Sequence, residues 1–91
     1  MQKLSKCISN RIIELCSQRN MSIYKLELKA GISHSTMCCL LNSKYRGANI
    51  RTVFLIIQAL EMTVLEFFDS PLFANLDNID LDWYKFDNYM V

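Results

Sequence analysis

One histidine and four cysteines are the side chains in this sequence that could bind a metal or act as nucleophiles. His34 and Cys38 are four residues apart, so on a helix they share a face and could hold one metal ion together. Cys38 is followed directly by Cys39, and an exposed thiolate at either position would suit a redox sensor. Two ligands do not complete a metal site, and both cysteines lie a turn or more inside a predicted helix. We therefore expect ordinary reduced thiols at these positions.

The other two cysteines give no sign of a metal site or a disulfide. Cys7 and Cys16 are nine residues apart, which places them on opposite sides of one helix. The sequence contains no Cys-x-x-Cys pair, the usual element of a structural zinc site. We expect four reduced cysteines, no metal and no cofactor.

Charge is distributed unevenly along the chain. Residues 1–51 contain nine lysines and arginines against two acidic residues, a net charge of +7. Residues 52–91 contain one lysine against seven acidic residues, a net charge of −6. A basic half suits a polyanion and an acidic half suits solvent or a protein neighbour, although a solvated charged face would give the same pattern.

Length and composition indicate one domain in which helices predominate. The chain has 91 residues, of which 52% are hydrophobic, with two glycines and one proline. Few glycines and prolines favour helices with tight connections over a turn-rich β-sandwich. The first ten residues have no apolar segment typical of a signal peptide, and no apolar run exceeds five residues, the length of 53–57, which is too short to cross a bilayer. We expect a cytoplasmic protein with no membrane contact.

Hydrophobic periodicity and capping residues predict five helices and no strand. The first helix is predicted from an N-cap at Ser5 to about Asn20, the second from Ile23 to Ala30 with Ser22 as N-cap, and the third from His34 to about Asn42 with Ser33 as N-cap. The fourth is predicted from an N-cap at Asn49 through Leu60. The fifth is predicted from Val64 to Phe68 and starts with a capping box formed by Thr63 and Glu66. Pro71 is expected to end the last helix. The predicted inward positions are Ile8, Ile12 and Leu15 in the first helix, Met37, Leu40 and Leu41 in the third, and Ile50, Val53, Phe54, Ile57 and Leu60 in the fourth.

The second and third predicted helices have the arrangement of a helix-turn-helix. Both are short, and the turn between them contains Gly31, which readily adopts the positive φ that such a turn needs. Ile32 can fill the angle between the two helices. The second helix of such a pair can lie in a DNA major groove with its N-terminus at the bases.

These residues resemble the Cro/repressor-type helix-turn-helix family. The segment NMSIYKLELKAGISHSTMCCLLNSK, residues 20–44, is similar to the family's motif, and NIRTVFLIIQALEMTVLEFF, residues 49–68, is similar to its fourth and fifth helices. The resemblance covers about residues 8–70. It implies an all-α, five-helix, lambda-repressor-like DNA-binding domain over residues 1–70, followed by an amphipathic tail at 71–91.

The resemblance also implies which side chains contact DNA. It places base contacts on Ser33, His34, Ser35, Cys38 and Cys39. It places phosphate contacts on Ser22, Thr36, Asn42, Lys44, Tyr45, Arg46 and Arg51. The chemistry is suitable, because hydroxyl, imidazole and amide groups bond to base edges or phosphates and Lys and Arg supply a salt-dependent attraction.

Two structural features of the family have different residues here. The family often pairs a buried arginine of the first helix with a glutamate at the end of the third, and Cys16 and Leu41 stand at those positions. Two apolar side chains replace the ion pair without leaving a charge buried, so we expect the fold to be intact. Glu61 stands where glycine or asparagine usually ends the fourth helix, which predicts some backbone strain.

Glu27 departs from the family's preference for alanine where the second and third helices cross. A buried, unpaired carboxylate at this position would be costly. We therefore expect Glu27 to lean outward or to pair with a neighbour such as His34 or Arg51.

The tail has a helical seam of apolar residues. Their spacing is 3, 4, 3 and 4, and they are Leu76, Ile79, Trp83, Phe86 and Met90. Asp77 and Asp80 near its start would favour the helix dipole. We expect the seam to form a homodimer contact, because regulators of this class bind two-fold sites. The alternatives are that the tail folds back on its own domain or that it is mostly disordered.

The function predicted from sequence is specific binding of double-stranded DNA by a dimer that regulates transcription. The sequence contains no catalytic triad, metal cluster or phosphate loop, so we expect no enzyme. It identifies no small-molecule effector. The alternative is a protein-interaction adaptor, similar to an antitoxin or an anti-repressor, that has this fold and binds DNA weakly or not at all.

Overall fold

The computed structural model describes residues 4–42 and 49–74, and this part of the chain is all-helical with no strand. The five α-helices are α1 (Leu4–Gln18), α2 (Ile23–Ala30), α3 (His34–Leu41), α4 (Ile50–Ala59) and α5 (Val64–Phe68), followed by a short 3-10 helix, Pro71–Phe73. Over these residues the all-α prediction is confirmed, as are the number and order of the five predicted helices. Within the described residues, no helix is both long and apolar enough to span a bilayer.

The predicted cap of the first helix is wrong. α1 begins at Leu4, so Ser5 lies inside the helix and is buried rather than at its N-terminus. Leu4 packs against the hydrophobic core, and this tertiary contact favours extending the helix beyond the position that local sequence suggested. The other end agrees with the sequence, because Asn20 adopts a left-handed conformation with φ of 52° just after the helix.

Serine caps fix the starts of α2 and α3. Ser22 Oγ accepts a hydrogen bond from the Lys25 amide at 3.0 Å, and Ser33 Oγ accepts one from the Thr36 amide at 3.1 Å. Gly31 has φ of +70°, and its amide donates to the Glu27 carbonyl at the end of α2. These bonds define the three-residue turn between the two helices, as the sequence predicted.

Side-chain caps also start α4 and α5. Asn49 Oδ1 accepts from the Arg51 amide at 2.9 Å. Thr63 and Glu66 form the predicted capping box, in which each side chain accepts from the other residue's amide. α5 ends at Phe68, as predicted. Pro71 was expected to end the helical part of the chain, but it lies in the first turn of the 3-10 helix, so helical structure continues beyond it.

The inward face of α4 differs from the predicted one. Ile50 and Phe54 are 67% and 43% exposed, whereas Ile56, which the prediction omitted, is fully buried. The buried positions of this helix and its C-cap are Val53, Ile56, Ile57, Ala59 and Leu60. Residues 53–57 are all apolar, so their periodicity could not determine which side faces inward. Packing against α2 and α5 determines it.

Arg11 of α1 and Arg19, which follows the end of α1, bond to the C-terminal ends of later helices, an arrangement that the sequence did not predict. Arg11 is buried, and its Nε and Nη2 donate to the Phe67 and Glu66 carbonyls at 2.7 and 2.9 Å. Arg19 donates to the Leu60 carbonyl at the end of α4. Helix C-termini carry unsatisfied carbonyls and partial negative charge, so a guanidinium stabilises them.

Cys16 and Leu41 both pack in the interior, and neither places a charge there. Cys16 is buried, and Leu41 packs against the core. Ser9 Oγ donates to the Leu41 carbonyl at 2.8 Å and so joins α1 to the end of α3. Glu61 has φ of 56°, which confirms the expected left-handed conformation at a residue other than glycine.

Candidate nucleic-acid interface

The N-terminal half of α3 carries a polar surface. Ser33, His34, Ser35 and Thr36 are exposed, whereas Met37 and Leu40 of the same helix are buried in the core. Met37 and Leu40 are three residues apart and therefore lie on one side of the helix. They anchor the helix through this side and leave its polar N-terminal residues accessible.

The five residues predicted to contact bases lie on this helix or at its N-cap. Ser33, His34 and Ser35 are exposed, and Cys38 and Cys39 are half-buried. Helix geometry alone brings them together, within less than two turns. Their contact with DNA remains a prediction.

The hydroxyl groups at the start of α3 are partly committed to one another. Ser33 Oγ accepts from the Thr36 amide and donates to Thr36 Oγ1 at 2.9 Å. The Thr36 hydroxyl therefore keeps its own proton for an external acceptor such as a phosphate oxygen. Ser35 has no hydrogen bond from its side chain to another described residue, so its hydroxyl is available for a base edge.

The side chains of Glu27, His34 and Cys38 contact one another in that order. The buried carboxylate of Glu27 lies 3.0 and 3.3 Å from His34 Nδ1, and the opposite ring nitrogen, Nε2, lies 3.3 Å from Cys38 Sγ. The expectation that Glu27 would find a partner is confirmed, and of the two residues named from sequence the partner is His34. The carboxylate is 5% exposed and the imidazole 78% exposed, so the pair extends from the protein interior to its surface.

The predicted phosphate contacts are only partly within the described residues. Ser22 and Arg51 are exposed at the first turns of α2 and α4, and Asn42 is the exposed C-cap of α3. Helix N-termini attract anions, so the first two positions suit a phosphate backbone. Lys44, Tyr45 and Arg46 lie outside the described residues. So do the tail residues Leu76, Ile79, Trp83, Phe86 and Met90.

The thiols of α1 differ from those of α3. Cys7 and Cys16 are buried, and burial raises the pKa of both thiols; for Cys16, the positive charge of Arg19 partly offsets the increase. A raised pKa keeps both groups protonated and unreactive at neutral pH.

Sequence reasoning anticipated part of this arrangement. The spacing of His34 and Cys38 placed both on one face, and Glu27 was recognised as needing a partner. The joining of all three through the two ring nitrogens was not anticipated, because it depends on how α2 and α3 cross. No family model, curated protein or solved structure matches this chain.

Proposed function

We propose that the protein is a cytoplasmic transcriptional regulator with a lambda-repressor-like domain that binds specific double-stranded DNA sequences through α3. The observation that supports this most directly is the exposed polar N-terminal half of α3, held above the core by Met37 and Leu40. The preceding turn at Gly31 and the serine caps are of the kind found in helix-turn-helix units. The basic charge of residues 1–51 adds a general attraction to DNA.

The dimensions of α3 suit a major groove. An α-helix with its side chains is about 10–12 Å across, which is close to the width of the groove, and the eight residues of α3 make a helix about 12 Å long. Ser35 and His34 would then face base edges, and Thr36 would donate its hydroxyl proton to a phosphate. Ser22 and Arg51, at the starts of α2 and α4, would hold neighbouring phosphates and fix the orientation of α3.

Substitution of Ser35 tests the role of α3 as the reading helix. The sequence preferred by the protein is first selected from a random duplex pool. Ser35→Ala should weaken binding to that sequence by ~1–3 kcal/mol without changing the melting temperature. The matched control is Ser17→Ala, an exposed serine of α1 outside the proposed interface. A Ser35→Ala variant that binds as the control does would show that α3 does not read bases.

Salt dependence tests the phosphate contacts. Fluorescence titration against random duplex at two salt concentrations should show steep weakening as salt increases. Lys44→Ala and Arg46→Ala should each reduce the slope of log affinity against log salt by about one. Lys85→Ala, in the acidic half of the chain, is the control and should leave the slope unchanged. Unchanged slopes in all three variants would place the 44–46 segment away from DNA.

We propose that the homodimer contact lies in residues 75–91, and a truncation that removes these residues tests it. Phe73 packs against the core, with its ring centroid 5.0 Å from that of Phe68, so a truncation must retain it. A chain ending at Ala74 should sediment as a folded monomer and lose affinity for a two-fold DNA site, because the second half-site then binds without linkage. A truncated chain that remains dimeric would refute this assignment.

A protein-interaction adaptor is the second candidate, and the exposed face of α4 favours it. Ile50 and Phe54 are four residues apart on one side of the helix, and both are exposed. Exposed apolar side chains of this size are common in protein interfaces. An adaptor would show little salt-dependent affinity for random duplex, and this result would favour it over the DNA-binding proposal.

A further inference from the structure

The contacts among Glu27, His34 and Cys38 have the geometry of an activated nucleophile. A thiol lies within hydrogen-bond reach of an imidazole nitrogen, at 3.3 Å, and the other nitrogen of that ring is held by a carboxylate at 3.0 Å. This order of nucleophile, base and orienting group is the arrangement by which proteins increase the reactivity of a serine or cysteine. The regulatory role proposed above does not require it.

Hydrogen-bond chemistry assigns the direction of proton transfer. An ionised carboxylate can only accept, so the proton shared by Glu27 and His34 is carried by Nδ1. In a neutral imidazole, Nε2 is then the acceptor, and it faces Cys38 Sγ. The Glu27 carboxylate continues to accept from Nδ1 when Nε2 takes the thiol proton, so the ring keeps its orientation.

The same geometry argues against a metal site at these three residues. A metal ion needs ligand atoms that converge on one point. Here the carboxylate and the thiol contact opposite nitrogens of one ring, so they cannot converge on the same ion with that ring. The arrangement suits transfer of a proton between Cys38 Sγ and His34 Nε2.

Cys39 provides an internal comparison. It is adjacent to Cys38 and is also half-buried, and it has no polar side-chain partner within 4–42 or 49–74. Cys7 and Cys16 are buried in α1, where the raised pKa makes attack slow. Among the four thiols, only Cys38 combines partial accessibility with an adjacent base that is held in position.

We propose that Cys38 is a site of reversible thiol–disulfide exchange with small-molecule disulfides, with His34 as the base and Glu27 as the residue that positions it. His34 Nε2 takes the proton from Cys38 Sγ, and the resulting thiolate forms a bond to one sulfur of the disulfide. The bond between the two sulfurs of the disulfide breaks, and the departing thiolate receives the proton from His34. The protein gains a mixed disulfide and one free thiol is released, so the disulfide is the only oxidant required.

The consequence for regulation depends on the DNA-binding function proposed above. Cys38 lies on the helix that we place in the major groove, one turn after His34. A mixed disulfide adds a bulky group at that face, so modification should release DNA and reduction should restore binding.

Reactivity is measured without DNA, in two single-substitution proteins. Cys39→Ser retains Cys38, and Cys38→Ser retains Cys39. Separating the two prevents a neighbouring thiol from displacing the first adduct. Each protein reacts with excess dithiodipyridine, whose released thione is followed by absorbance, and peptide mass spectrometry identifies the modified cysteine. Cys38 should react about tenfold faster than Cys39. This factor is smaller than the usual rate increase from a positioned general base, because the imidazole of His34 is exposed to water.

Variants in the Cys39→Ser background separate base and positioning roles. His34→Ala should reduce the Cys38 rate to about that of Cys39, and added imidazole should restore part of it. Glu27→Gln keeps an acceptor for Nδ1 without the charge, and should reduce the Cys38 rate several-fold. The same substitutions in the Cys38→Ser background should leave the Cys39 rate unchanged. If a substitution loosened the fold, it would expose the thiols and increase the rates of both Cys38 and Cys39. This change is opposite to the decrease expected for Cys38.

If Cys38 and Cys39 react at equal rates in the two proteins that retain His34 and Glu27, the proposal is overturned. This outcome does not depend on whether any His34 or Glu27 variant folds. A Cys38 rate unaffected by His34→Ala would overturn the role of the base. Duplex binding before and after modification, and after reduction with dithiothreitol, is then compared in the Cys39→Ser protein. If Cys38 reacts as expected but neither the unmodified Cys39→Ser protein nor the unsubstituted chain binds duplex, the exchange site is supported and the DNA-binding proposal fails.

Discussion

Replacing His34 by alanine removes the hydrogen-bond partner of a carboxylate that is almost inaccessible to water. Glu27 is 5% exposed, and the described contacts of its carboxylate oxygens are both with His34 Nδ1, at 3.0 and 3.3 Å. From sequence alone, alanine at position 34 would be expected to weaken DNA binding and leave stability nearly unchanged. The structure changes that expectation, because the substitution leaves Glu27 without this partner.

The size of the effect follows from the exposure of the two partners. Removing a hydrogen bond to a buried charged group costs about 1.5–3 kcal/mol. The imidazole is 78% exposed, so its removal opens a path by which water can reach the carboxylate and recover part of that energy. We therefore expect His34→Ala to lower the free energy of unfolding by about 1–2 kcal/mol. For a domain of this size, this corresponds to a decrease of roughly 4–16 °C in melting temperature.

Urea denaturation followed by circular dichroism measures this change. Ser35→Ala is the matched control, because it removes an exposed side chain from the adjacent position of α3 and leaves Glu27 and His34 paired. The double variant Glu27→Gln/His34→Ala should recover part of the lost stability, because glutamine places no unpaired charge in the same space. If His34→Ala unfolds at the same urea concentration as Ser35→Ala, the pair contributes nothing and the reasoning is refuted.

Three further substitutions test contacts elsewhere in the fold. Arg11→Ala should lower stability by about 2–4 kcal/mol in urea denaturation, because it leaves the Glu66 and Phe67 carbonyls without their donor. Gly31→Ala should cost about 1 kcal/mol by the same measurement, because φ is +70° while no atom lies within 4 Å of an added Cβ, so the cost arises from the backbone alone. Hydrogen bonds from the Thr63 backbone and side chain lower the pKa of Glu66 from its ordinary value of 4.5. The Glu66 carboxylate therefore stabilises the fold at pH values above its ordinary pKa, and this stabilisation is lost as the pH falls through the lowered pKa. Glu66→Gln should reduce this dependence of the free energy of unfolding on acid pH.

Each of these predictions has a control and a contrary outcome. For Arg11→Ala the control is Lys6→Ala, which removes an exposed cation of α1 and should change stability little. If both variants lose the same stability, the loss comes from the removed charge and not from the hydrogen bonds to the carbonyls. Gly31→Asn should be milder than Gly31→Ala because asparagine tolerates the left-handed conformation, and equal losses would contradict a backbone origin. Identical pH profiles for Glu66→Gln and the unmodified protein would exclude a contribution from the capping box.

The short helices around the turn are determined mainly by local sequence. The boundaries of α2, the start of α3 and the capping box of α5 agree with the predictions, because hydroxyl caps and Gly31 act over three or four residues. Interactions of this range are encoded within a few neighbouring residues, so no knowledge of the rest of the fold is needed.

Only the tertiary structure determines the contacts between helices. The inward side of α4 depends on packing, because residues 53–57 are apolar on every side. Arg11 reaches carbonyls more than fifty residues away in sequence, and Glu27 contacts His34 only because α2 and α3 cross where they do. Backbone carbonyls carry no sequence signal, and a carboxylate indicates only that it needs a partner. The partner is determined when the helices pack and water is excluded.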